Sequence, residues 1–104
     1  MTVRKRSEQR QALRDAKKLS DARVKLFALS DGGSPEHPRV AESASLVEPR
    51  ALATPCPACE GALVLRSHDA KVVGARTLRA ARMQCRQCGQ PWTVWFAIER
   101  PLAQ

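Results

Sequence analysis

The chain has 104 residues, a formal net charge of +8 at pH 7, and only two Trp and two Phe with no Tyr. That length holds one domain with appendages, and the scarcity of aromatics together with seven prolines keeps any single core small. No stretch approaches the roughly 20 apolar residues of a membrane span, and no apolar run of signal-peptide length follows the first bases. With Glu8, Asp15 and Asp21 interleaved among those bases, a transit peptide does not fit either, so the cytoplasm is the expected location.

Residues 1–30 hold nine bases and three acids. Ala12, Ala16, Leu19, Ala22, Leu26 and Leu29 recur at three- and four-residue intervals, which predicts an amphipathic basic helix over 1–30. Ser7 suits its N-cap, Glu8 its first turn, and Gly32-Gly33 its end. A heptad seam fails at Arg23. The apolar stripe is thin and alanine-rich, so the helix must dock or fray. Its cations, led by the Arg4-Lys5-Arg6 cluster, either engage phosphate or form a solvated face. An interfacial membrane helix would need larger apolar residues.

Residues 31–53 reverse the charge and are rich in Pro, Gly, Ser and Glu, without a strand or helix period. This is the texture of a flexible linker. Residues 54–104 are strand-rich, with runs at Ala62–Ser67, Thr77–Gln84 and Trp92–Ile98. Ser67–Gly74 reads as a loop or a short strand extension. Helix propensity competes over 75–83, where Ala, Arg, Leu and Met dominate. A hairpin there is what would bring the cysteines of this half together, so a strand is expected.

All four cysteines fall in this half, as Cys56-Pro57-Ala58-Cys59 and Cys85-Arg86-Gln87-Cys88. Two C-x-x-C turns joined by a hairpin place four thiolates around one ion, the ligand set of a structural zinc site with no open coordination position. Four thiolates and one dication sum to −2, which would leave the loaded protein at about +6. Iron in a rubredoxin-like carrier, and redox dithiols, are the competing readings.

Cys56-Pro57-Ala58-Cys59 with Gly61 and Leu63, and Met83-Gln84-Cys85-Arg86-Gln87-Cys88-Gly89 with Trp92, resemble a zinc ribbon. The resemblance covers about residues 54–99 and implies a small metal-stapled fold. Its C-terminal part would be a three-stranded antiparallel ribbon, preceded by the basic helix and the linker. Gly89 follows its ligand pair directly, whereas Glu60 stands at the matching place after the first pair.

His37 and His68 read as exposed loop histidines. With no G-x-S-x-G, Walker loop or helical H-E-x-x-H, the chain is expected not to be an enzyme and not to have a small-molecule substrate. Alternation along the last strand puts Trp92, Val94, Phe96 and Ile98 in the core and Trp95 on the other face. Trp95 either stacks on a nucleobase beside Arg79, Arg82 and Arg86, or packs under the Leu19–Leu26–Leu29 stripe. The expected role is a nucleic-acid-associated protein with one structural zinc ion. A zinc-ribbon adaptor for a protein partner is the alternative.

Overall fold

The computed structural model describes residues 6–99; Arg4 and Lys5 of the basic cluster lie outside the described residues. Helix α1 (Arg6–Ala28) is followed by strand β1 (Arg39–Ala41) and a 3-10 turn (Ala44–Leu46) that runs into helix α2 (Val47–Leu52). Strands β2 (Leu63–Val73), β3 (Arg76–Cys85) and β4 (Pro91–Ile98) complete the fold. The sheet order is β1-β4-β3-β2, with β1 parallel to β4 and the other pairs antiparallel.

The sheet therefore has four strands rather than three, and the extra strand comes from the segment whose composition reads as linker. Arg39, Val40 and Ala41 pair with Phe96, Ala97 and Ile98. Backbone bonds from Trp95 N–H to the Gly32 carbonyl (2.7 Å) and from Glu99 N–H to the Ala41 carbonyl (2.9 Å) extend the pairing at both ends. In α2, Val47 and Ala51 stand four residues apart on one face, and both are fully buried. Pro49 does not break this helix, because it sits in the first turn, where an amide proton has no partner to lose. Arg39 donates to Thr54 Oγ1 (2.7 Å) and Arg50 to the Val40 carbonyl (3.1 Å), tying the strand to the helix. Prolines and glycines here punctuate short elements and do not mark a free tether.

Strand, not helix, wins at 76–85. β2 and β3 form one long hairpin from the Leu63–Cys85 pair to the Val73–Arg76 pair. Gly74 (φ +62°) opens its two-residue turn, a place that favours glycine. A bulge at Arg66 interrupts the alternation of β2. Beyond it, His68 rather than Ser67 shares the inner face, so His68 is no loop histidine. It is half-buried, with Nδ1 3.3 Å from Glu48 Oε2 of α2.

One face of the sheet carries the core. Leu63, Ala81, Met83, Cys85, Trp92, Val94 and Phe96 pack there against Ala41, Val47, Ala51 and Cys56. The other face holds Leu78, Ala80 and Ala97, all buried, with Trp95 half-buried among them.

Helix α1 has no buried residue, and Leu13, Leu19, Leu26 and Leu29 are 53–74% exposed. The Leu19–Leu26–Leu29 stripe does not cover Trp95. The helix touches the sheet only by its last turns: the Phe27 ring meets Trp92 edge-on at 5.2 Å, and Arg23 donates to the Ala58 carbonyl. After Ala28 the chain folds back so closely that a Cβ at Gly33 would lie 1.6 Å from the Phe27 carbonyl oxygen. Only glycine fits there. The molecule is elongated, 71 Å by 24 Å by 23 Å.

Candidate metal centre

The hairpin places the two cysteine turns side by side, and they are built alike. In the first, the Glu60 amide donates to the Cys56 carbonyl (2.8 Å) and the Cys56 amide to the Gly61 carbonyl (2.9 Å). In the second, Gly89 donates to the Cys85 carbonyl (3.1 Å) and Cys85 to the Gln90 carbonyl (3.0 Å). Glu60 (φ +65°) and Gly89 (φ +76°) occupy the same left-handed position. The glutamate therefore does not change the first turn's path. It holds that path at a steric cost of about 1 kcal/mol that glycine avoids.

All four sulfurs lie within 4.8 Å of one another. Cys56 and Cys88 are 3.7 Å apart and Cys59 and Cys85 3.4 Å apart, and none is in a disulfide. An ion with metal–sulfur bonds of about 2.3 Å has tetrahedral ligands about 3.8 Å apart. The four cysteines are thus positioned to hold one metal ion, an arrangement compatible with a zinc ribbon.

The electrostatics point the same way. The Cys88 amide directed at Cys85 Sγ, helped by the Gln87 amide and the Cys59 thiol, outweighs burial and holds the Cys85 thiol down at about 6. The Gly61 amide pulls on Cys59, but the neighbouring Cys85 sulfur, burial and the other two cysteines outweigh it and push Cys59 up to about 12. A cation among the four sulfurs would favour their thiolate forms and offset their mutual repulsion.

The surroundings support the ligands. Trp92 Nε1 donates to Cys56 Sγ at 3.2 Å, inside the core. Such donors to a ligating sulfur orient it and spread its charge. This places the shared contacts of α1 next to the four-sulfur cluster: Phe27 on the Trp92 ring, and Arg23 on the carbonyl of the first cysteine turn. Neither contact follows from the alanine stripe. The available signal was Phe27 itself, one of two phenylalanines, beside a glycine pair that folds the chain back.

The other candidate residues are dispersed. Arg82 and Trp95 share the second face of the sheet, where the register sets Arg82 opposite Thr93 and Trp95 opposite Ala80. Arg79 pairs with Phe96, so it is half-buried on the opposite face and does not flank Trp95. Arg86 is exposed in the second cysteine turn, and Arg6 is exposed at the far end of α1. His37 is exposed ahead of β1 and is not part of the four-sulfur cluster. Among the described residues no helix is long and apolar enough to cross a membrane. Comparison of the chain with models of protein families, with curated proteins and with solved structures finds no match.

Proposed function

We propose that the chain is a non-enzymatic zinc-ribbon protein that associates with nucleic acid. Zinc is the ion this all-thiolate, closed, tetrahedral set suits best, and its role is structural. The reading rests above all on one observation: α1 carries seven bases against three acids, all exposed, with no ion pair within the helix among the described residues. Cations left without carboxylate partners on a projecting rod are available to phosphate oxygens. Arg82 beside Trp95 adds a guanidinium and an aromatic surface on the sheet.

The test is a mobility-shift titration of zinc-loaded protein with short duplex and single-stranded probes. Binding is expected at low salt, falling steeply as salt rises, and weakened across all probes when Arg10, Arg14, Lys17 and Lys18 are changed together to Gln. Absence of any shift at low salt would end this reading. The metal is checked by elemental analysis, with one zinc per chain expected and iron the competing result.

A specific feature favours the adaptor reading as second choice. Leu13, Leu19 and Leu26 are exposed along the same helix, with Leu29 exposed just past its end, which is unusual apolar surface for a solvated rod. An adaptor would retain a protein partner after nuclease treatment and lose it on deletion of residues 1–30.

A further inference from the structure

The two faces of the sheet differ in what lies on them. Both helices dock on the first: α2 through Val47 and Ala51, and α1 through Phe27 on Trp92. The second face has neither helix and is where Trp95 and Arg82 lie as diagonal neighbours on adjacent strands. The bulge in β2 adds a second guanidinium there. Arg66 donates through Nε (2.8 Å) and Nη2 to Gln84 Oε1, and Gln84 in turn donates to the Gly89 carbonyl (3.2 Å). The Gln84 carbonyl oxygen is thereby filled and serves to aim Arg66, whose Nη1 donors are not engaged in that bond.

We infer that this face binds unpaired nucleic acid, with Trp95 as the base-stacking surface and Arg66 and Arg82 holding the backbone. The inference rests on the nucleic-acid reading above and narrows it. A duplex keeps its base faces stacked against one another, and only an unpaired base can lay one on an indole. The indole is half-buried beside Ala80, so one side is fixed against the sheet and little side-chain freedom is lost on stacking. Asp69 stands on the far side of Ala80 and repels phosphate. The backbone therefore runs on the Arg82 and Arg66 side of Trp95, past the Thr93 hydroxyl. The helix supplies attraction to any phosphate chain, and this face supplies the preference for single strands.

The experiment uses the full zinc-loaded chain, an oligothymidylate of about ten nucleotides, and a blunt duplex of equal length. The oligothymidylate is expected to bind more tightly than the duplex and to quench tryptophan emission. Trp95→Leu is expected to cost about tenfold against the single strand and to leave the duplex unchanged, while Trp95→Phe recovers most of the loss. Arg82→Gln weakens the single strand in the same direction. Equal affinity for both probes, with Trp95→Leu without effect, would overturn the inference and leave the broader reading intact. Failure of every probe to bind would remove the broader reading itself. Should Trp95→Leu not fold, the emission of the unaltered protein decides: oligothymidylate that binds without quenching overturns the proposal.

Discussion

Helix α1 and the sheet are held by different physics, although they belong to one short chain. The sheet buries its core residues to a few percent exposure and closes on a four-sulfur centre. The helix has no fully buried residue along its 23 residues and meets the body only at its end, where Phe27 packs against the core. Its order comes from local helix-forming residues and from an anchor on Trp92 and the first cysteine turn, beside the four-sulfur cluster. A side chain can thus be apolar in both regions and mean different things: Val47 holds the fold together, while Leu13 and Leu19 are surface.

The largest effect should come from breaking the centre that both regions share. Chelation, or Cys56→Ser or Cys85→Ser, is expected to melt the sheet, since binding of a structural zinc contributes on the order of 10 kcal/mol to folding. Circular dichroism would then show loss of strand signal and, because α1 loses its anchor, a partial loss of helical signal. Metal affinity should fall as pH is lowered, because protons compete for the sulfurs and each ligating thiolate must be regenerated against them. Persistence of cooperative unfolding at an unchanged temperature after complete metal removal would show that the sheet does not depend on the ion.

Next in size is the segment between the regions. Val47→Asp places a carboxylate at a position with 0% exposure and is expected to cost more than about 3 kcal/mol, read as a lowered midpoint in denaturant. A free linker would tolerate the change. This segment is also where the sequence was least legible. The convergence of the four cysteines could be read from spacing, because two C-x-x-C turns joined by a hairpin bring their sulfurs together, and the Trp92–Ile98 strand from its alternation. β1 and α2 are only three and six residues long, too short for a periodic signal, and their stability comes from pairing with β4 and from contacts made far along the chain. His68 was hidden for a related reason. One inserted residue at Arg66 reverses the inward side of the strand, and nothing local announces it.

A smaller effect separates the helix from its anchor. Phe27→Ala removes the edge-on contact with Trp92, and Arg23→Gln removes the bond to the Ala58 carbonyl. Each is expected to cost about 1 kcal/mol of docking while leaving the sheet's metal content unchanged. Amide exchange would quicken in residues 20–28 and not in β3 or β4. The reverse pattern, with slowed metal binding and an unaltered helix, would mean that these contacts serve the sulfurs and not the rod.

The smallest effect is the sharpest test of the contrast. Leu13→Gln and Leu19→Gln together replace apolar side chains that are 71% and 53% exposed. If α1 is a rod standing in solvent, the pair should move stability by no more than about 0.5 kcal/mol, because glutamine has nearly the helix propensity of leucine and no buried area is lost. Thermal unfolding of the zinc-loaded chain measures this directly at several protein concentrations. A drop in midpoint well beyond that bound, independent of concentration, would place these leucines in an intramolecular contact and merge the two regions into one core. A drop that grows with concentration would instead mean that the unaltered chain pairs through this stripe, and the helix would then owe its order to a second copy.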